Sequence, residues 1–227
     1  MANSDYGAIP LTLAESTSEA LNTKLGVTTG FKPSEWPSAI ASIPTGGGGD
    51  TMPCLISSGQ QAVELPIYDD GQYTFKFKLF CGAQEQTLIL GGYWDVGALL
   101  FHTFQVNNEY VLYYYINTIP TSIPMKIGEW MDIELAPSYI KVDGVTYSGT
   151  FTQKYHNKTW LFGFNGGRYS SIAMSEMKIY DSNNDLVMDL EPREDNNGHG
   201  YYYDKVGDDN YYSSTAPLAY FELVLNN

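Results

Sequence analysis

From residue 73 onwards, apolar and polar side chains alternate one by one, a pattern typical of a half-buried β-strand. The clearest run places Phe75, Phe77 and Leu79 on one side and Lys76 and Lys78 on the other. Successive strand side chains point to opposite faces of a sheet, so one face of this strand is apolar and the other is wet. A chain built from such strands has to cover the apolar faces with a second layer.

Ten runs of this kind follow one another, separated by turn signals at intervals of roughly 8–12 residues. Asp143-Gly144 joins two of them and predicts a type I′ hairpin, and Asn107-Asn108 joins another two. No apolar pattern of helix length interrupts the series, which argues against a parallel α/β sheet. We therefore expect a mainly β fold, an antiparallel sandwich or barrel, with strands near residues 73–79, 88–90, 99–106, 110–116, 131–135, 140–142, 145–147, 161–164, 172–180 and 186–190.

The first part of the chain follows a different pattern. Residues 1–45 contain two short helical patterns, the first capped by Thr12 with Glu15 three residues later. Glycines 46–49 then form a linker, taken as residues 46–50, because four glycines do not hold a helix or strand. Helices this short are unstable alone, so their apolar side chains require a partner; these are Leu21, Leu25, Phe31, Trp36 and Ile40.

Composition and charge narrow the classes of function. Hydrophobic residues make up 43% of the 227, enough for a sizeable core, whereas the net charge is −14. A chain this acidic is repelled by DNA and by anionic lipid, so we expect neither nucleic-acid binding nor membrane insertion.

No run approaches the roughly 18 apolar residues of a membrane span. The N-terminus lacks a basic stretch followed by an apolar run, so we expect no secretory signal. Cys54 and Cys81 are expected to be buried thiols rather than a disulfide.

Several motifs resemble those of a known group of proteins. Residues 128–135 (GEWMDIEL) and 139–144 (YIKVDG) resemble the core of concanavalin A-like, laminin-G-like jelly rolls. Residues 177–181 (MKIYD), 186–192 (LVMDLEP) and 200–212 are similar to the endings of bacteriophage virion appendage proteins, of tail-fibre, receptor-binding or head-fibre type. Residues 21–40 resemble their anchoring segments. The resemblance implies that residues 1–45 anchor the chain to a virion and that 51–227 form a concanavalin-like jelly roll.

Three carboxylates at the start of one predicted strand are the candidates for catalysis. Glycosidases with concanavalin-like folds carry catalytic carboxylates at i, i+2 and i+4 of a strand. Here Glu129, Asp132 and Glu134 stand at i, i+3 and i+5, so Glu129 does not share a face with the other two. We therefore interpret Asp132 and Glu134 as the solvated face of a strand whose inner face is Met131, Ile133 and Leu135, and we expect no enzyme activity.

An acidic segment follows near the C-terminus. Asp204, Asp208, Asp209 and Asn210 lie within seven residues, and their oxygen atoms are of the type that calcium prefers. The spacing lacks the order of an EF-hand loop, so a solvated loop is the first interpretation and calcium the alternative. We expect no other cofactor and no metal site.

Aromatic and polar residues in predicted loops are the candidates for glycan binding. Sugar rings stack their C–H faces on aromatic rings, while amide and charged groups bind the hydroxyls. The candidates lie in three predicted loops and are Tyr93, Trp94 and Asp95, then His156 and Asn157, then Asn165, Arg168 and Tyr169.

These observations and the resemblance together favour a non-enzymatic phage structural protein. Residues 1–45 would bind other virion proteins, and the jelly roll would project from a tail fibre, baseplate tip or head fibre to bind host-surface polysaccharide. The resemblance also implies a homotrimer, assembled in the host cytoplasm and carried in the virion. The alternatives are a capsid or tail decoration protein that stabilises the particle without binding sugar, and a glycosidase on the same fold.

Removal of residues 1–49 tests the anchoring role. We expect the shortened chain to fold as a β protein, because its strands begin after the linker, but not to join the particle. Circular dichroism of the isolated protein checks the folding, and quantitative blotting of purified particles checks incorporation. Wild-type copy number in the particle would contradict the assignment.

Overall fold

The computed structural model describes residues 51–68, 71–81, 88–92, 100–106, 109–114, 121–149, 157–163 and 172–224. These residues form two antiparallel sheets. In chain order the strands are β1 (Thr51–Ile56), β2 (Val63–Tyr68), β3 (Thr74–Cys81), β4 (Leu88–Gly91), β5 (Leu100–Val106), β6 (Glu109–Tyr114), β7 (Thr121–Pro124), β8 (Trp130–Ala136), β9 (Tyr139–Val142), β10 (Val145–Ser148), β11 (Lys158–Leu161), β12 (Ile172–Tyr180), β13 (Leu186–Glu194), β14 (Gly200–Asp204), β15 (Asp209–Tyr211) and β16 (Ala219–Val224).

The larger sheet has ten strands, in the order β10-β9-β8-β3-β12-β13-β14-β15, with β1 pairing both β12 and β16. The second sheet has six strands, in the order β2-β11-β4-β5-β6-β7. Strands far apart in sequence are neighbours, since β3 lies between β8 and β12, and β2 pairs with β11. These long antiparallel crossovers confirm the predicted mainly β, jelly-roll type of sandwich.

The core lies between the two sheets and receives side chains from both. Phe77 of the larger sheet meets Phe101 of the smaller one edge to face, with ring centroids 6.4 Å apart. Phe162 stacks on Tyr202, with ring centroids 6.5 Å apart. All four rings are buried, and such pairs contribute beyond the area they bury. The interior of the sandwich is therefore filled by interdigitating aromatic and aliphatic side chains, and a β-bridge between Val63 and Ser213 joins the two sheets at one edge.

The alternation in the sequence correctly predicts which side chains enter the core. On β3, Phe75 and Leu79 are buried, whereas Lys76 is exposed. The predicted hairpin at residues 143–144 is also confirmed, because Asp143 and Gly144 both have positive φ, of 49° and 84°. Two consecutive left-handed residues define the type I′ turn.

The predicted strand at 161–164 is wrong in its position. The strand is β11, Lys158–Leu161, and the chain leaves the sheet at Phe162, whose φ is 65°. This turn places the Phe162 ring in the core against Tyr202, while its amide donates to the carbonyl of Ile89 at 3.0 Å. Burial of the ring thus decides where the strand ends.

The strand predicted at 186–190 is longer than expected, because β13 continues through Pro192 to Glu194. Proline lacks an amide donor and is tolerated within a sheet only where the ladder is interrupted. Pro192 lies beyond the paired residues of β13 and β12, which end at Leu190 and Met177, and its partner on the other side is Tyr202 of β14. Six of the described strands were not among those expected from the alternation, namely β1, β2, β7, β14, β15 and β16.

The irregularity in β12 is filled by a buried hydroxyl. The side chain of Tyr202 is fully buried, and its hydroxyl donates to the carbonyl of Ser175 at 2.9 Å. The hydroxyl of Ser175 accepts from the amide of Lys78 at 3.0 Å. These bonds satisfy polar groups that the irregular pairing leaves without ladder partners.

Both cysteines are buried and free, as predicted. Burial raises the pKa of the Cys54 thiol to about 12.

Residues 1–50 lie outside the described residues. They include the glycine linker and the predicted anchoring residues Leu21, Leu25, Phe31, Trp36 and Ile40. In the described ranges, no helix has the length and apolar character needed to cross a bilayer.

Substitution of Tyr202 by phenylalanine tests the buried hydroxyl. We expect Tyr202→Phe to lower the free energy of unfolding by about 1 kcal/mol, because the carbonyl of Ser175 loses its donor in a dry core. Tyr203→Phe is the matched control, since its hydroxyl is on the exposed face, and we expect a change within roughly 0.5 kcal/mol. Urea denaturation measures both, and equal losses would contradict the assignment.

Candidate functional site

The loop residues predicted to bind glycan are mostly outside the described part of the chain. These are Tyr93, Trp94, Asp95, His156, Asn165, Arg168 and Tyr169. Asn157 is described and lies partly buried immediately before β11. The outer face of the ten-stranded sheet contains two clusters of side chains that could contact a ligand.

The interpretation of the carboxylates on β8 is confirmed. Met131, Ile133 and Leu135 are buried in the core, whereas Asp132 and Glu134 lie on the outer face. Glu129 precedes the strand and is exposed.

Both outer carboxylates are already engaged by neighbouring side chains. Asp132 lies 2.8 Å from the ammonium group of Lys78, and Glu134 lies 3.7 Å from that of Lys76. Glu134 also accepts a hydrogen bond of 2.5 Å from Tyr139. That hydrogen bond, together with burial and the charge of Glu134, raises the pKa of Tyr139 to about 12. The two carboxylates therefore form ion pairs between β8 and β3, and Glu134 is also hydrogen-bonded to β9.

The hairpin between β9 and β10 is locked to β8 by one aspartate. One oxygen of Asp143 accepts from the amide of Asp132 at 2.8 Å, and the other contacts Lys126 at 2.5 Å. Burial alone would raise the pKa of Asp143, but the bonds from Lys126 and from the Asp132 amide, with the charges of Lys126 and Lys78, outweigh it and lower this pKa.

A groove with a volume of about 410 Å³ lies on this face, above strands β9, β8, β3 and β12. We call it the lysine groove. Its charged lining consists of three lysines and three acids, which are Lys76, Lys141, Lys178, Asp132, Glu134 and Glu176.

The second cluster lies further along the same face, on β13, on β14 and immediately after β15. Tyr201 and Tyr203 alternate with the buried Tyr202 and so point outwards. The ring of Tyr212 stacks on that of Tyr201 with centroids 4.8 Å apart and planes 23° apart. Tyr212 is 46% exposed. We call this cluster, with Arg193 and Glu191, the tyrosine platform.

Arg193 holds the rest of the platform in place. Its guanidinium carbon lies 3.7 Å from the centre of the Tyr203 ring, a cation–π contact. Its Nε and Nη2 atoms both contact one oxygen of Glu191, at 2.8 and 2.7 Å. The Tyr203 hydroxyl donates to Asp208 at 2.7 Å. The platform thus combines rigid rings with fixed charged groups.

A tight turn borders the platform on one side. The carboxylate of Asp195 accepts from the amides of Asn197 and His199, at 2.8 and 2.9 Å. The pKa of Tyr212 is raised, first by burial, next by electrostatic interaction with Tyr201 and then by the charge of Asp195. Asp195 therefore contributes negative potential at the exposed ring.

The acidic segment considered for calcium is part of the turn between β14 and β15. Asp204 is buried, and its Oδ1 accepts from the amides of Asp189 and Val206 at 2.9 and 3.0 Å. Asp208 accepts from Tyr203. These carboxylates shape the turn, and in the described ranges no group of three or more His, Cys, Asp or Glu side chains is arranged to hold a metal ion.

Sequence reasoning missed the tyrosine platform. Its signal is present in GYYYD, residues 200–204, where alternation places two of the three tyrosines on one face. The pairing of Tyr201 with Tyr212 depends on the register of β14 against β15, in which Tyr202 is opposite Tyr211. The spacing of the tyrosines along the chain does not specify that register.

Comparison with known proteins identifies no family for this chain. No protein-family model matches the chain, and no curated protein matches it. Among solved structures, it is similar to domain 4 of AbnA, a GH43 extracellular arabinanase from Geobacillus stearothermophilus in complex with arabinotriose. That domain is 13% identical with a TM-score of 0.39, and the alignment covers 59% of this chain and 76% of that chain.

The chain is also similar to a native heptameric SAP-like pentraxin from Limulus polyphemus, which is 15% identical with a TM-score of 0.29. The alignment covers 60% of this chain and 73% of that chain. Neither likeness bears on function, and the function of this chain has to be inferred from its own residues.

The lowered pKa of Asp143 predicts a loss of stability in acid. A carboxyl group whose pKa is lower in the folded state stabilises the fold above the unfolded pKa, and that contribution is lost as the pH falls below about 4. Asp143→Asn removes the charge but tolerates the left-handed backbone. We expect the difference in urea midpoint between wild type and variant to be present at about pH 7 and to vanish at about pH 2. A difference independent of pH would contradict the role of the charge.

Proposed function

We propose that the β-sandwich of this chain is a non-catalytic glycan-binding domain and that the tyrosine platform is its binding site. The observation that carries the proposal is the exposed ring of Tyr212, held by its stack on Tyr201. A sugar ring presents C–H groups that pack on such an aromatic face. A stacked ring is already ordered, so little conformational entropy is lost on binding.

The polar groups around the rings suit the hydroxyls of a sugar. Arg193 supplies donors and Glu191 supplies acceptor oxygens, and both side chains remain partly exposed, at 43% and 34%. Their mutual ion pair and the contact of Arg193 with Tyr203 hold them in place. A site with one stacking ring and a few oriented polar groups has the usual composition of a shallow sugar site.

The absence of catalysis is part of the proposal. Glycoside hydrolysis requires a protonated and an ionised carboxyl group on either side of one bond. On the outer face, Asp132 and Glu134 are engaged by Lys78, Lys76 and Tyr139. These contacts support a structural role for both carboxylates.

The motif resemblance adds a biological setting to this proposal. On that resemblance, the chain is a virion appendage of a bacteriophage, anchored to other virion proteins through residues 1–45 and trimeric. A single shallow site is expected to bind with about millimolar affinity, roughly −4 kcal/mol. Three or more copies on one particle could then raise avidity by about 10²–10⁴.

A titration of the full-length chain with fragments of bacterial cell-wall polysaccharide tests the site. We expect Tyr212→Ala to weaken binding by roughly two- to tenfold, the equivalent of about 0.5–1.5 kcal/mol for a lost aromatic contact. Tyr68→Ala is the matched control, because Tyr68 is also exposed but lies on the other sheet, beneath Lys158. Chemical-shift changes in NMR spectra measure both affinities.

Equal effects of the two substitutions would remove the platform as the site. Released reducing ends are measured in parallel, and we expect none. Turnover that disappears in Asp132→Asn or Glu134→Gln would identify a glycosidase instead. Failure of the wild-type chain to bind any host polysaccharide would favour the decoration protein.

A further inference from the structure

The lysine groove has an arrangement of charges that differs from the rest of the molecule. The charges of its three lysines and three acidic residues cancel. The residues outside the groove therefore carry the whole net charge of −14. At physiological ionic strength the charges beyond about 8 Å are screened. A ligand in the groove therefore interacts mainly with the groups that line it.

Two of the groove lysines lie opposite a carboxylate in the sheet without forming an ion pair with it. Lys178 lies directly opposite Lys76 in the pairing of β12 with β3, and like charges in that position destabilise a sheet. On its other side Lys178 is opposite Asp189 of β13, but Asp189 is paired with Lys205 at 3.2 Å. Lys76 is compensated by Glu134 and by the ring of Tyr180, whose centre is 5.1 Å away. Lys141 is opposite Glu134 in the pairing of β9 with β8. In the described part of the chain, neither Lys178 nor Lys141 forms an ion pair.

The acids of the groove are mostly neutralised already. Asp132 forms an ion pair with Lys78. Glu134 forms an ion pair with Lys76 and accepts a hydrogen bond from Tyr139. Glu176 is exposed and forms no ion pair in the described part of the chain. The unpaired charges are thus two ammonium groups and one carboxylate, an excess of one positive charge.

We infer that the lysine groove binds a carboxylate-bearing sugar, so that the glycan recognised by this chain is an acidic one. The inference rests on the proposed function and adds the chemical class of the ligand. A carboxylate beside Lys178 would relieve the unfavourable opposition of Lys178 and Lys76. Lys141 lies three strand spacings from Lys178, about 14 Å across the sheet, so it would contact the carboxylate of a neighbouring sugar unit.

The groove and the tyrosine platform share one continuous face. Lys178 is opposite Asp189 of β13, and Glu191 of that strand is opposite Tyr203 of β14. Two strand spacings, about 10 Å across the sheet, therefore separate the strand of Lys178 from the strand of Tyr203. One glycan chain of a few sugar units is long enough to contact both.

A matched pair of ligands tests this inference on the full-length chain. Oligogalacturonate carries one carboxylate per sugar, and its fully methyl-esterified form is the same chain without charge. We expect wild type to bind the acid more tightly than the ester. Lys178→Gln and Lys141→Gln should each weaken binding of the acid by roughly two- to fivefold, as for a partly exposed charge contact, and should weaken binding of the ester by less.

Two further variants separate the local charge from the net charge. Lys158→Gln makes the same change in net charge on the other sheet, and we expect no effect on either ligand. Glu176→Gln removes the unpaired carboxylate of the groove and should strengthen binding of the acid. Added salt should weaken binding of the acid, whereas repulsion by the net charge of −14 would be relieved by salt.

The outcomes distinguish this inference from the proposed function. The lysine groove would be excluded as the acid-binding site if the acid and the ester bound with equal affinity. It would also be excluded if Lys158→Gln and Lys178→Gln had equal effects. Neither result would contradict the tyrosine platform as the glycan site. The same holds if cell-wall fragments bind through Tyr212 but oligogalacturonate does not bind at all. Lysine-dependent binding of the acid that is unaffected by Tyr212→Ala would support the groove and remove the platform.

Discussion

The burial of one strand between two sequence-distant neighbours organises this sandwich. β3 lies in the middle of the larger sheet, and its inner side chains face the smaller sheet, where Phe77 meets Phe101. Each apolar side chain of this kind contributes about 1.5–3 kcal/mol when it leaves water. Because the period of a strand is two, burial of Phe75, Phe77 and Leu79 obliges Lys76 and Lys78 to face outwards. The charged outer face is thus a consequence of the core.

The same constraint produces the two clusters on the outer face. On β14, burial of Tyr202 against Phe162 turns Tyr201 and Tyr203 towards solvent. On β8, burial of Ile133 turns Asp132 and Glu134 towards the lysines of β3 and β9. A shift of one residue in either strand would exchange the faces and bury charges at a large cost in free energy. The platform and the groove are therefore tied to the packing of the two sheets.

Two irregular features, the register shift in β12 and the left-handed turn at Asp143, occur where the regular strand pairing is interrupted. The register shift in β12 frees the carbonyl of Ser175 for the hydroxyl of Tyr202. The left-handed residue Asp143 follows β9, accepts a hydrogen bond from the Asp132 amide of β8 and pairs with Lys126, which precedes β8. Such features position the hairpin beside the lysine groove, so local strain and site geometry are linked.

The sequence by itself determined the secondary-structure class, the inner and outer faces of β3 and β8, and the turn at residues 143–144, because these depend on local alternation and backbone preference. Tertiary structure alone decided which strands are neighbours, where β11 ends, how far β13 extends, and the stacking of Tyr212 on Tyr201. These features depend on register between segments that are distant in sequence and on the competition of large side chains for one core. The spacing of residues along the chain does not show the outcome of that competition. The sequence therefore predicts the loop aromatics as a glycan site but does not predict the tyrosine platform.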